Sequence, residues 1–273
     1  MDFVEAHGAR IPIVGFGTMR LKEEAGAAAI LSALRVGYRH LDTAAYYGNE
    51  REVGEAMRAS GVKREDIFLT TKVRDDKLKA DDFARSVDAS LKALDLPFVD
   101  LLLIHWPNPH VPMAESIGAL NKAKRDGLAR HIGVANFTVA LLEEAMMNTE
   151  APLVTNQIEA HPFLDFGKIF TATRRELISV TAYCPIARGR VPGNPVLERI
   201  GTAHGKTASQ VALRWLTQQG IIVIPGSGKP ERQKENFEVL DFNLTPSEMA
   251  QIDLLKRPDG RVVNPPQAPK WDV

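Results

Sequence analysis

Gly37-Tyr38-Arg39-His40-Leu41-Asp42-Thr43-Ala44-Ala45-Tyr46-Tyr47-Gly48-Asn49-Glu50 is the stretch that decides the reading of this chain. Residues 39–42 form a short run that ends on an aspartate, a polar turn through Tyr47 and Gly48 follows, and residues 50–60 then take up the periodicity of an amphipathic helix. That is one strand-turn-helix unit. It recurs twice downstream: residues 67–71 end on Lys72 ahead of a helical stretch at 80–94, and residues 99–104 end on His105. Strands joined by crossover helices pair in parallel, so the ends of neighbouring strands converge on one face. Asp42, Tyr47, Lys72 and His105 are therefore expected to meet.

The same rhythm runs along the chain. Further apolar runs at 131–135, 153–158, 178–183 and 221–225, with Val14 to Gly17 near the start, give eight strand candidates. Eight alternating units in 273 residues suit an α/β fold of the (β/α)8 TIM-barrel type, which closes at about 250 residues. Residues 1–273 then read as a single domain. Phe3 to Ile13 alternates around a central glycine, as a β-hairpin does, and is expected at the barrel bottom. Thr207 with Gln210, and Thr245-Pro246 with Glu248, are capping boxes that open two late helices. The proline-rich tail after Arg257 reads as an irregular surface segment.

Composition narrows the function. Lys and Arg balance Asp and Glu at 34 each, which leaves no electrostatic footprint for nucleic acid or an anionic membrane. No charged-then-apolar leader and no apolar run of membrane-spanning length is visible. The single cysteine, Cys184, can form neither an internal disulfide nor a cysteine metal cluster. A cytoplasmic enzyme is the expectation, working on a small molecule, with a monomer favoured and no metal.

The four polar residues suit proton donation. A tyrosine hydroxyl titrates near pH 10, and an adjacent ammonium, here Lys72, is expected to lower that value by stabilising the phenolate. Lys72 in a partly dry pocket needs an anion to stay charged, and Asp42 can be that anion. His105 would then hydrogen-bond a carbonyl oxygen as it becomes an alkoxide. Taken singly, each residue has a plainer role: a turn or cap for the aspartate, solvated surface for the lysine and tyrosine, core packing for the histidine. Two other functions use the same residues. Lys72 could be a Schiff-base nucleophile, or the fold could be a nucleotide-binding sensor without turnover.

At these residues the chain resembles the aldo-keto reductases. The stretch from Gly37 to Glu50, with Val53-Gly54 after it, matches that family's long signature, and Thr71-Lys72-Val73 and Ile104-His105-Trp106-Pro107 match its other catalytic segments. The likeness runs essentially end to end and is nearest to short prokaryotic members that reduce diketogluconate and aldehydes. It implies NADPH-dependent reduction of a carbonyl without metal, with Tyr47 as proton donor and Asp42, Lys72 and His105 beside it.

The resemblance also implies a cofactor seat. Asn136 and Gln157 match the residues that hold the nicotinamide carboxamide, Tyr183 the aromatic on which the ring stacks, and Thr18 a further contact. Ser227, Lys229, Arg232 and Asn236, in a glycine loop that opens a helix after the eighth strand, match the phosphate-binding segment. Ala135 and Cys184 stand where the family often has serine. Gly226 stands where NADPH-preferring members carry a lysine, so NADH becomes an alternative cofactor, and lysine restored at 226 is expected to sharpen the preference for NADPH. In the substrate pocket, Met19 and Arg74 replace frequent aromatics and leave Trp106 as the remaining indole. A wider and more polar mouth follows, with Arg74 either reading an acidic substrate or paired to Asp75 or Asp76.

Overall fold

A computed structural model describes residues 2–272. Eight parallel strands stand side by side in chain order: β3 (Phe16–Gly17), β4 (His40–Asp42), β5 (Phe68–Val73), β6 (Val99–Ile104), β7 (Ala129–Ala135), β8 (Leu153–Glu159), β9 (Ser179–Tyr183) and β10 (Ile222–Val223). The ring closes where Gly15 N–H donates to Val223 O at 2.8 Å and Val223 N–H to Ile13 O at 2.9 Å. This is the (β/α)8 barrel expected from the sequence. Its first and last strands are shorter than the apolar runs suggested. Pro225 has no N–H to extend a ladder, and only its carbonyl contributes, accepting from Gly17 at 3.2 Å.

Helices fill the outside. They are α1 (Glu23–Val36), α2 (Glu50–Ala59), α3 (Ala80–Leu94), α4 (Met113–Arg125), α5 (Val139–Asn148), α6 (Gly167–Arg175), α7 (Pro195–His204), α8 (Ala208–Gln218), α9 (Pro230–Phe237) and α10 (Pro246–Asp253). Both capping boxes form as the sequence indicated, Thr207 with Gln210 and Thr245 with Glu248. Strand residues alternate between two cores. On β6, Leu102 and Ile104 join the helix-facing core, whereas Leu101 and Leu103 point into the barrel.

The N-terminal hairpin, β1 (Phe3–Ala6) and β2 (Ala9–Pro12), turns through His7 and Gly8, both at positive φ. A two-residue turn of that kind matches the twist of the strands. Ala6, Ala9 and Ile11 pack with Leu101, Leu103, Val154 and Ile222, so the hairpin plugs the barrel interior away from the strand ends that carry Asp42, Lys72 and His105.

The tail is irregular and lies at the surface as expected, yet it is pinned at specific points. Arg257 N–H donates to Phe163 O at 3.1 Å, and Gly260 is buried so tightly that a Cβ there would lie 1.8 Å from the same oxygen. From there the chain crosses the mouth, and Trp271 meets Trp106 edge to face with centroids 6.0 Å apart.

Gly54, the last glycine of the signature, is where α2 meets the end of α3: a Cβ would stand 2.2 Å from Leu94 O, a backbone atom that cannot swing aside. Gly54→Ala is therefore expected to destabilise the fold by about 1–3 kcal/mol through overpacking. Denaturant unfolding of the two proteins measures the difference.

Candidate active site

The strand ends bring Asp42, Tyr47, Lys72 and His105 together. Lys72 lies inside the barrel at 0% exposure with Asp42 at 1%. Its ammonium donates to Asp42 Oδ1 at 2.6 Å, to Thr43 O at 2.8 Å and to the Tyr47 hydroxyl at 3.4 Å. The other carboxylate oxygen of Asp42 accepts from Gln157 Nε2 at 2.7 Å. Tyr47 sits in a single 3-10 turn, Ala45–Tyr47, stopped by Gly48 in the left-handed region, and its ring stands edge-on to His105 with centroids 5.7 Å apart.

Electrostatics differ from the sequence expectation at one point. Tyr47 is not lowered by its ammonium neighbour in the resting site: burial, and then the Asp42 carboxylate, push its phenol well above the ordinary value. Lys72 spends its charge at shorter range on Asp42 and Thr43, so the phenol stays protonated. Burial also lowers Lys72, against the pull of Asp42. His105 is lowered to about 3, by burial first and then by Lys72 and Arg74. It is a neutral imidazole.

The residues matched to a cofactor fall into two groups. Near the tetrad, Asn136 donates to His105 O at 2.8 Å and accepts from the Tyr183 hydroxyl at 2.7 Å, which fixes Tyr183 at the rim. Each amide of Asn136 and Gln157 still has a second N–H and free lone pairs, as a carboxamide partner needs. Thr18 is buried and its hydroxyl donates to Asp42 O at 3.0 Å, so its visible work is to hold the strand end that carries the aspartate.

Farther out, Ser227, Lys229 and Arg232 lie at the N-terminus of α9, with Pro230 at the first helical position and Asn236 buried on the same helix. The exposed amides of that end suit an anion. Gly226 overturns one expectation. Its Cβ direction runs into Gly17 O at 2.3 Å, so a lysine at 226 could not reach a phosphate without moving the loop, and the substitution is no simple repair.

Around the pocket, Met19 is exposed and Trp106 buried. Arg74 pairs with Asp76 at 3.1 Å and stacks on Tyr46 at 5.4 Å, and Tyr46 in turn stands against His105. The pairing foreseen as the plainer role of Arg74 is thus present.

The chain matches the aldo/keto reductase family over residues 13–257. It belongs to that family. A methylglyoxal reductase, DkgB of Yersinia pestis, is 40% identical over 266 residues, covering 96% of this chain and 99% of that protein. A crystal structure of a candidate 2,5-diketo-D-gluconic acid reductase B superposes with a TM-score of 0.96 at 50% identity, covering 100% of this chain and 98% of the other. A Bombyx mori aldo-keto reductase solved with NADP gives 0.85 at 34% identity, covering 91% and 90%. Membership and these reductase relatives support carbonyl reduction as the chemistry of this aldo/keto reductase.

Sequence reasoning missed several residues. Trp271 is a second indole at the pocket, hidden in a tail without periodicity. Gln233 is buried on α9, where its amide donates to Ala29 O and Ser227 O while its Oε1 has no partner. Glu50, inside the quoted signature, is buried and accepts from the Thr71 hydroxyl at 2.5 Å. Only its place beside Asn49 in the signature could have drawn attention to it.

The depressed histidine has a consequence for stability. An unfolded His105 takes up its proton near pH 6.5 while the folded one resists until about 3. Stability is therefore full above the unfolded value and drains as pH falls through that window, because the unfolded state binds the extra proton. The melting temperature of this reductase is expected to fall on acidification below pH 6.5, and to fall less in His105→Gln; scans across pH measure both.

Proposed function

We propose that this protein reduces small aldehydes and ketones to alcohols with NADPH, NADH being the alternative, and that Tyr47 delivers the proton. The observation that carries the proposal is the Tyr47 hydroxyl, held protonated at the mouth and hydrogen-bonded by the ammonium of a fully buried lysine. When bound, the nicotinamide cofactor supplies the hydride to the carbonyl carbon. Neutral His105 donates to the carbonyl oxygen and orients it. Tyr47 gives its proton to that oxygen, and Lys72, already donating to the phenol oxygen, steadies the phenolate left behind. The tuning expected of Lys72 thus acts during proton transfer rather than at rest.

Asn136 and Gln157 would hold the carboxamide, Tyr183 the ring, and Ser227, Lys229, Arg232 and Asn236 the adenine-side phosphate, within a unit spanning residues 1–273. Schiff-base chemistry is disfavoured because Lys72 is enclosed and committed to Asp42 and Thr43. The relatives' names point to α-dicarbonyls and oxidised sugar acids as substrates. The protein is proposed to work in the cytoplasm as a monomer.

Tyr47→Phe keeps the ring and removes the hydroxyl that carries the proton. Turnover is expected to drop by about 10²–10⁴-fold, the usual worth of a positioned acid, with cofactor affinity nearly unchanged. Steady-state rates and a cofactor titration decide it, and a fully active variant would end the mechanism.

For substrate class, Arg74 is the residue to test. If its guanidinium exchanges Asp76 for a substrate carboxylate, Arg74→Ala should raise KM for an acidic ketone by roughly tenfold and leave a neutral aldehyde alone, the loss of a charge-assisted pair. Equal effects on both substrates would assign Arg74 to its loop.

A further inference from the structure

Glu159 ends β8 two residues beyond Gln157 and pairs in register with Tyr183 on β9. Its carboxylate is fully buried, yet proton transfer as described makes no use of it. It accepts from Val262 N–H at 2.6 Å, from Val263 N–H at 2.9 Å and from His161 Nε2 at 2.9 Å. Phe163 N–H donates to His161 Nδ1 at 3.3 Å, which leaves Nε2 as the ring's donor. Arg261 adds its charge at 3.7 Å. Two of the three close donors thus belong to the C-terminal segment.

That segment is a strap with two anchors. Beyond the Glu159 anchor, the Arg261 guanidinium stacks on the Trp271 ring at 3.7 Å, and the indole N–H donates to Asn264 at 2.9 Å. At its far end, Asp272 caps α5 by accepting from Val139 N–H at 2.9 Å. Trp271 is held between the anchors with its edge to Trp106.

We infer that Glu159 is a positioning residue for substrate selection: by fastening the strap it holds Trp271 against Trp106 as a wall for carbonyl substrates that carry a flat apolar group. The inference rests on the reductase reading above. With an amide in place of the carboxylate, one of the two strap N–H groups faces an N–H instead of an acceptor, and Arg261 loses its counter-charge. The wall is then free to leave, while Asp42, Tyr47, Lys72 and His105 keep their contacts.

The test compares Glu159→Gln, Trp271→Ala and the double variant with the wild type. Tryptic cleavage of the Arg261–Val262 bond is the direct readout, since the N–H of that bond is a donor to Glu159. Cleavage of the intact protein is expected to quicken by about tenfold in Glu159→Gln, tracking the population of the open strap. KM for an aryl aldehyde should rise by roughly three- to tenfold in either single variant and no further in the double one, with kcat for methylglyoxal and cofactor affinity within about twofold of wild type. Unchanged cleavage, additive KM effects, or an equal loss on both substrates would overturn the inference, the last by making Glu159 merely structural. A rise in cofactor Kd without discrimination between substrates would overturn it too, by assigning Glu159 to the Tyr183 platform. A wild type that reduces neither aldehyde sinks the reductase reading instead, and the cleavage rates still report on the anchor.

Discussion

Asp42 and Lys72 form an ion pair that solvent does not reach, and the mouth of the barrel is built around its needs. Burying two charges costs several kcal/mol per ion unless hydrogen bonds take up what the partner leaves unsatisfied, and removing either partner costs about 3–5 kcal/mol. Here the remaining valences are spoken for. Gln157 takes the second oxygen of Asp42, while Thr43 O and the Tyr47 hydroxyl take the other protons of Lys72. Thr43 and Tyr47 follow β4 itself, whereas Lys72 reaches in from β5 and Gln157 from β8, so the pair can exist only when the barrel is closed. It also fixes where Tyr47 must be.

The pair leads outward to the rest of the site through shared backbone. Thr18 grips the carbonyl of Asp42 from the neighbouring β3 loop, and Asn49 ties the loop carrying Thr18 to the start of α2 through bonds of 2.7 Å to Thr18 O and Leu21 O. Asn136, at positive φ after β7, links His105 to Tyr183. His105 and Tyr183 are thereby joined through one amide, and the Tyr47 ring stands edge-on to His105 beside them. Beside Asp42, with which Gly17 pairs in register, the close approach of Gly17 and Gly226 leaves no room for a Cβ at 226.

Much of this was legible from residue order. Strand runs ending in polar residues, followed by helical periodicity, placed Asp42, Tyr47, Lys72 and His105 on one face, because parallel strands allow no other arrangement of their ends. Capping boxes gave helix starts from three-residue spacings. The errors fall where the determining contact is distant in sequence. Tyr47 looked set to be acidified by Lys72, yet the outcome depended on how far the ammonium was already committed. Gly226 looked like a vacant lysine position, yet its neighbour across the cleft is a backbone oxygen more than two hundred residues earlier.

The sequence by itself determined the barrel, its hairpin plug and the identity of the four polar residues, since period-two and helical patterns, turn residues and caps are local properties of the chain. Tertiary structure alone decided the protonation of the site and the shape of the pocket. Desolvation is set by everything packed around a group, and that is what keeps Tyr47 protonated and His105 neutral. The tail shows the same division: no periodicity marks residues 261–272, and contacts over a hundred positions away, Glu159 with Val262 and Val263 and Val139 with Asp272, flank the Trp271 that meets Trp106 at the mouth.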